Sequence, residues 1–477
     1  MVRRARRSNS LSIACAALAV ALLFCPISDR ASAQNSDPAL SNQDSGKGPS
    51  RTGGTAPLPG GRLIETSTQA TGKSGRSNSA SRSLLPLRRP GSGVPAARER
   101  NYVPDEVVIE LSADTTDAAA EALARRFGLA RLESFNLQLT GTKLYRWRIY
   151  DRRRVPTVVR ALEADRSVIS VSPNYIMRLD GEATAMVGGS ALEQYALTKL
   201  QVQRAHALAR GDKILIAIID GGVDASHPEL AGVIADTFDA IGSGDTIHAH
   251  GTAVAGAIAA QARLKGTAPA AQILAARAFG TDRDKTESTT FYVVRAINWA
   301  VGRGARIINM SFSGPRDPKL ELSLKAARAN GVILVAAAGN AGPRSQPLYP
   351  AADPNVIAVT ATDEDDNLFK AAVRGRHIAV AAPGVELWLP GLNGSYQEAS
   401  GTSFAAAEVS GTIALLLELK SDLDHNQVRR ALMKTARDLG PRGIDPQFGA
   451  GLVDAYGALL SVSPVTVGPP KATPVSD

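Results

Sequence analysis

Four short stretches hold the side chains best suited to making and breaking a bond. An apolar run, "KILIAIID" (213–220), ends on Asp220 and is followed by Gly221-Gly222. "HAHGTAVAGAIAA" sets His250 before a glycine and a series of small residues. "VAAAGNAG" closes a second apolar run at Gly339-Asn340, and "ASGTSFAAAEVSG" places Ser403 at the start of a small-residue helix. Together these are the parts needed for nucleophilic hydrolysis. A hydroxyl is a poor nucleophile until a base takes its proton. An imidazole serves as that base when a carboxylate holds its tautomer and stabilises its charge. A carboxamide N–H is suited to meet the oxyanion that then forms.

Each stretch also has a plainer reading. An Asp after a strand is usually a turn former or a helix cap, and Asn after Gly is ordinary turn chemistry. The glycines after Asp220 lack the GxGxxG spacing of a dinucleotide loop. His248 and His250 raise the question of zinc, but the sequence has no HExxH and no third clustered histidine, and its two cysteines, Cys15 and Cys25, lie within the first 25 residues. No metal site is expected. Ser403 at a helix start reads most simply as an N-cap, although a helix N-terminus also offers unpaired N–H groups and positive potential to a developing anion. A GxSxG elbow would need glycine where Ala405 stands. The order of the groups favours the chemical reading. Asp220, His250, Asn340 and Ser403 follow one another at separations of 30, 90 and 63 residues, the first three at or just beyond apolar runs.

The elements that would position these groups are legible around them. "KILIAIID", "AQILAARAF", "ARIINMSFSG", "GVILVAAAGN" and "NVIAVTAT" are almost continuously apolar, as strands buried on both faces of a parallel sheet are. Helical segments are expected at 251–263, 288–302, 318–330, 404–420 and 425–437. The pattern predicts an α/β doubly wound domain over about 194–462, with functional groups beyond the carboxyl ends of its strands.

With strands and order in place, residues 194–462 resemble a subtilisin-like serine protease, a subtilase, through "AIIDGGVDASHPEL", "HGTAVAGAIAA", "INMSFSG", "VAAAGN" and "SGTSFAAAEVSG". The resemblance implies Ser403 as nucleophile, His250 as general base and acid, Asp220 as orienting carboxylate and Asn340 as oxyanion donor. It also implies that Ser311, Phe312, Ser313 and Gly314, with Ala338 and Gly339, flank a peptide substrate that pairs as an added strand. The chain departs from the family at several places. Gly221 stands where Ser or Thr usually follows the aspartate, Ala253 replaces a second histidine, and Ala407-Glu408 replaces Pro-His. The stretch 259–269 lacks the insertion that forms the usual strong calcium site, leaving Glu229 without the expected partners, so no cofactor is expected and calcium dependence stays open. The acidic run 363–366 is read as a solvated loop.

Upstream, residues 101–180 show a strand-helix-strand pattern twice: "EVVIEL", a helix over 114–128 with its cap near Asp114 or Thr115, "KLYRWRIY", a helix over 155–167 and "VISVSPNYIMRL". This predicts a small ferredoxin-like α+β domain, which the resemblance makes a propeptide that assists folding and plugs the cleft. Cleavage by the protein itself is expected within 181–193. Residues 1–33 read as a secretory signal, with a basic start, an apolar core over 11–25 and "ASA" at 31–33. Residues 34–100 read as a Ser/Gly/Pro/Arg-rich spacer and 463–477 as a tail. The net charge of +9 sits in residues 1–105, which carry 15 Lys/Arg and 6 Asp/Glu, whereas the remainder carries 39 of each. A nucleic-acid partner is therefore not expected, nor is a stable membrane span after signal cleavage. The expected product is a secreted or periplasmic endopeptidase acting on proteins or peptides. The rival is a weak or inactive subtilase-fold binding protein at the cell surface, for which Gly221 and Ala407 are the support.

Overall fold

The computed structural model describes residues 91–179, 182–185, 194–244, 247–282 and 285–463. The expected signal segment, most of the spacer, part of the expected cleavage window and nearly all of the tail lie outside the described residues.

Seven parallel strands form the central sheet, in the spatial order Ile378–Pro383, Ile357–Thr362, Ile333–Ala337, Ile307–Met310, Leu215–Asp220, Gln272–Arg277 and Ile234–Asp239. The sheet begins at Leu215–Asp220, goes to the edge at Ile234–Asp239, fills the gap with Gln272–Arg277, then crosses back to pair Ile307–Met310 on the other side. Asp220 therefore ends the strand at which the winding reverses, where ligands of open α/β sheets bind. Alternation along that strand accounts for the continuous apolar run. Ile216 and Ile218 pack into one buried layer, with helices Ala249–Ala259 and Thr402–Leu419. Ala217 and Ile219 pack into the opposite layer, with helices Thr290–Gly302 and Pro318–Ala329. Helices Tyr195–Lys199 and Ala455–Val462 and strands Ile234–Asp239 and Ile378–Pro383 were not anticipated. The first of these strands lies at a sheet edge and its sequence, "IADTFD", is half polar, so it lacks the signature of a buried strand.

The smaller domain folds as Tyr102–Ser112, helix Asp117–Arg126, Leu129–Leu137, Thr142–Ile149, helix Val155–Glu163 and Val168–Leu179. Its antiparallel sheet runs Leu129–Leu137, Thr142–Ile149, Tyr102–Ser112, Val168–Leu179, the expected ferredoxin-like arrangement, of which Leu129–Leu137 is the one strand not anticipated. The first helix is capped by Thr116, whose hydroxyl accepts the Ala119 N–H, rather than by Asp114 or Thr115. Residues 91–100, read as spacer, run along this domain: Glu163 accepts the Gly93 N–H at 2.6 Å and the Ser92 hydroxyl at 2.9 Å.

One face of this sheet packs on its own helices around Trp147 and Leu162. The other face meets the larger domain, where Val108, Leu137 and Leu144 pack with Phe291 and Val294 of helix Thr290–Gly302. In the same interface Lys319 Nζ lies 2.8 Å from the Glu110 carboxylate, and both side chains are about 3% exposed. Burial alone would raise the Glu110 pKa. The Lys319 charge and hydrogen bonds from Lys319, Ser170 and Thr142 outweigh it and leave the carboxyl below its ordinary value. Breaking such a buried pair by removing one partner costs about 3–5 kcal/mol, so Glu110 and Lys319 fix the docking of the two domains.

The central helix Thr402–Leu419 is buried along nearly its whole length and encloses an acid, Glu408, whose carboxylate accepts the Thr267 hydroxyl. Burial pushes its pKa from 4.5 up to about 8. The folded chain therefore keeps a proton that the unfolded chain has released. The contribution of this group to stability is fully present below about pH 4.5 and is lost progressively as the pH rises to about 8. Glu408→Gln keeps the shape and removes the titration. Urea unfolding at pH 5 and pH 8 should show its greater relative stabilisation at pH 8; an equal effect at both would contradict a buried neutral carboxyl.

Candidate active site

The site begins at the end of strand Leu215–Asp220. The Asp220 carbonyl accepts the N–H groups of Ala278 and Phe279 from the neighbouring strand's extension, at 2.8 and 3.1 Å, which fixes the chain just before it turns. The Asp220 side chain is fully buried. Its Oδ1 accepts the Gly221 N–H at 2.7 Å, and its two oxygens lie 2.8 and 3.0 Å from His250 Nδ1. A carboxylate on Nδ1 holds the imidazole with its proton on that nitrogen and leaves Nε2 as the basic one.

His250 reaches Asp220 because helix Ala249–Ala259 comes unusually close to the strand end. A methyl group on Gly251 would lie 2.1 Å from the Gly222 carbonyl oxygen and 3.1 Å from Asp220 Oδ1. Only glycine permits that approach. Thr252, next in "HGT", accepts the Asp224 N–H at 2.9 Å and ties the loop after the strand to the same helix. His248 is the N-cap of the helix, its Nδ1 accepting the His250 N–H at 3.3 Å. It is thus used as a cap and not as a co-ligand of His250. Among the described residues no group of three His, Cys, Asp or Glu side chains is placed to hold a metal.

Ser403 is fully buried and is the second residue of its helix. The structure corrects its reading as a cap. Gly401 is the N-cap and makes no side-chain cap bond, while Ser403 Oγ donates to the Ser311 carbonyl at 3.3 Å. Phe404, the next residue, has its ring 5.5 Å from that of His250, so the helix start and the imidazole meet. Asn340 arrives from the loop after strand Ile333–Ala337. Its Oδ1 accepts the Thr402 N–H at 3.2 Å and the Thr402 hydroxyl at 2.8 Å, and Thr402 Oγ1 accepts the Gly339 N–H at 3.1 Å. Thr402 thereby orients the amide with its NH2 as the half that the helix start does not use. Sequence reasoning passed over Thr402, and its place directly before the candidate nucleophile Ser403 was the available signal.

Ser311 was expected to line the substrate. Its side chain instead donates to the Ser403 carbonyl at 3.1 Å and accepts from Asn309 at 2.8 Å, beneath the helix. Phe312 and Ser313 do flank an extended chain. They pair antiparallel with Leu179 and Arg178, the end of the small domain's last strand. A methyl group on Gly314 would meet Met177 Sδ at 2.3 Å. Strand Lys285–Thr289, part of a hairpin with Gly280–Asp282, covers the other edge by pairing with Ile176, Met177 and Arg178. Among the described residues Ala338 and Gly339 do not pair with this segment; the Ala338 N–H goes to the Val359 carbonyl and the Gly339 carbonyl accepts from the Val373 N–H. Past the cleft, Glu182–Ala185 pairs antiparallel with Tyr396–Ser400, the strand that leads into Gly401, Thr402 and Ser403.

A match to the "Subtilase family" covers residues 211–451, and a match to the "Fervidolysin N-terminal prodomain" covers residues 88–174. This chain is a subtilase. Thermitase of Thermoactinomyces vulgaris is 35% identical over 275 residues, covering 56% of this chain and 95% of thermitase. The minor extracellular protease Epr of Bacillus subtilis is 35% identical over 269 residues, covering 55% of this chain and 41% of Epr. The crystal structure of fervidolysin from Fervidobacterium pennivorans, described as a keratinolytic enzyme related to subtilisin, shares the fold with a TM-score of 0.65 at 24% identity, over 79% of this chain and 64% of that one. The larger domain is the peptidase domain of a subtilisin-like serine endopeptidase, and the smaller is its N-terminal prodomain.

Two departures from the family acquire physical reasons. A methyl group on Gly221 would lie 2.7 Å from His248 Cβ. The space for a hydroxyl side chain is thus occupied, and the backbone N–H of Gly221 supplies the hydrogen bond to Asp220. Glu229, fully buried, accepts the N–H groups of Ala262, Arg263 and Leu264 at 2.8–2.9 Å and the Tyr396 hydroxyl at 2.8 Å. Those donors face the carboxylate where a cation would need oxygen ligands, so the residues present do not fit the calcium site of many relatives. Restoring the usual hydroxyl should therefore harm the site: Gly221→Ser, pressing on the His248 cap, lowers kcat/KM on a peptide substrate by about tenfold or more. A rate equal to or above that of the parent would show that the contact carries no positional constraint.

Proposed function

We propose that this subtilase is made as a zymogen for export and hydrolyses peptide bonds through Asp220, His250 and Ser403, with Asn340 as oxyanion donor. The observation that carries the reading is the buried Asp220–His250 hydrogen bond at the switch point of the sheet, beside a helix that begins with Thr402-Ser403. His250 Nε2 takes the proton of Ser403 Oγ as the oxygen attacks the substrate carbonyl. The oxyanion is met by the Asn340 NH2 and the Ser403 N–H, a contribution of about 3–4 kcal/mol for a preorganised donor. The imidazolium returns the proton to the departing amine, leaving an ester on Ser403. Water, deprotonated by the same imidazole, then releases the acid and restores the hydroxyl.

The prodomain is the first substrate on this reading. Its last strand enters between Phe312–Ser313 and Lys285–Thr289, and the chain leaves beside Tyr396–Ser400. These pairings bracket the centre and favour a cut between Leu179 and Glu182, at the upstream edge of the 181–193 window. The basic start, apolar core and small-residue site of residues 1–33 support export to the periplasm or medium, in keeping with an extracellular relative. No observation favours the inactive binding protein.

A fluorophosphonate probe should label the processed chain at Ser403 and leave Ser403→Ala unlabelled. Mass spectrometry should place the new N-terminus at residue 180, 181 or 182 and find Ser403→Ala intact. Absence of label on folded, processed protein would overturn the catalytic assignment, and cutting of pure Ser403→Ala at the same bond would overturn self-processing.

The Glu229 cluster supports independence from calcium at that position. EDTA should leave the melting temperature within about 2 °C, whereas Glu229→Ala, which takes the acceptor from the N–H groups of Ala262, Arg263 and the buried Leu264, should lower it by several degrees, about 1–3 kcal/mol for the buried unsatisfied group. A large EDTA effect reversed by calcium would contradict this.

A further inference from the structure

The cleft holds an extended chain by backbone pairing on both edges, and backbone pairing does not read sequence. Side chains must supply any preference. Along Val168–Leu179 successive side chains point to opposite faces. Met177 turns inward, fully buried in the apolar layer that contains Phe312 and Phe279. Arg178 turns outward, with its side chain 48% exposed. On the hairpin strand Lys285–Thr289, the residue directly opposite Arg178 is Glu287. Its carboxylate oxygen Oε1 accepts from Arg178 Nε at 3.0 Å and lies 2.9 Å from Nη2. The neighbours do not compete for this role: Ser288 donates to the Ala278 carbonyl at 2.6 Å, and on the far edge Ser313 carries no charge.

We propose that Glu287 is a specificity-determining residue that selects a basic side chain at the substrate position pairing with Ser313. The prodomain's Arg178 occupies that position in the precursor. The inference rests on the reading of this cleft as the substrate groove. Glu287 lies in a hairpin strand that the larger domain contributes, so it remains to greet the next polypeptide after the prodomain has left. Being 29% exposed, it is screened by water and salt, and an exposed pair carries a preference of about 1.5-fold to fivefold. Like charges at directly opposed positions are unfavourable, so a Glu at the substrate position should be the worst occupant.

The test uses three synthetic peptides spanning residues 174–185 of this chain, with Arg, Gln or Glu at position 178, and the processed enzyme. The measured quantity is the slowing of fluorophosphonate labelling of Ser403 by each peptide, taken from initial rates, which reports occupancy of the cleft whether or not the peptide is cut. The Arg peptide should protect at about 1.5-fold to fivefold lower concentration than the Gln peptide, and the Glu peptide should protect least. The spread should shrink in 0.5 M salt. Glu287→Lys should reverse the order and Glu287→Gln should abolish it; labelling without peptide reports whether Ser403 is assembled in each. Equal protection by the three peptides at low salt, or an unchanged order in Glu287→Lys, overturns the proposal. Failure of the parent enzyme to label at all is a different result and overturns the function on which the proposal rests.

Discussion

Helix Ala249–Ala259 touches the end of strand Leu215–Asp220 at a distance that any Cβ at position 251 would prevent. From that approach follows the hydrogen bond between Asp220 and His250, and around it the remaining parts are arranged. The strand end is clamped by Ala278 and Phe279. The histidine is preceded by its own helix cap, His248, which also closes the space beside Gly221. The imidazole faces Phe404, which belongs to the helix that presents Ser403. A buried carboxylate in such a place is costly unless it is hydrogen-bonded, and the Gly221 N–H and His250 Nδ1 meet that requirement.

The second constraint is strand addition. A parallel sheet is rich in contacts between distant parts of the chain and is slow to assemble. The prodomain brings an antiparallel sheet whose last strand continues into the peptidase domain and joins both Phe312–Ser313 and Lys285–Thr289. It also covers helix Thr290–Gly302 with Val108, Leu137 and Leu144, and it docks Glu110 on Lys319. The scaffold of the prodomain and the segment lying in the cleft are thus one continuous element.

The strongly apolar strands, the helices between them and the order Asp220, His250, Asn340, Ser403 were legible along the chain because burial on two faces and an N-terminal helix turn each leave a local pattern. Leu129–Leu137 and Ile234–Asp239 escaped notice because half of each strand is polar. Gly221 looked like a missing hydroxyl until its neighbour was known. Thr402 passed unremarked because its hydroxyl acts on Gly339 and Asn340, more than 60 residues away. Glu287 was invisible for the same reason, since its meaning depends on being opposite Arg178, 109 residues distant in the chain.

What the amino-acid order determined by itself was which chemical groups are present and on which kinds of element they ride, because side-chain periodicity and turn chemistry are local. What only the tertiary structure decided was orientation. It set Ser403 as the second residue of its helix and not the cap, turned the Ser311 side chain under that helix, gathered three backbone N–H groups on the Glu229 carboxylate and faced Glu287 to the cleft. Each of these depends on contacts between segments distant in sequence, whose register and approach are set by packing as a whole and leave no trace in any one stretch.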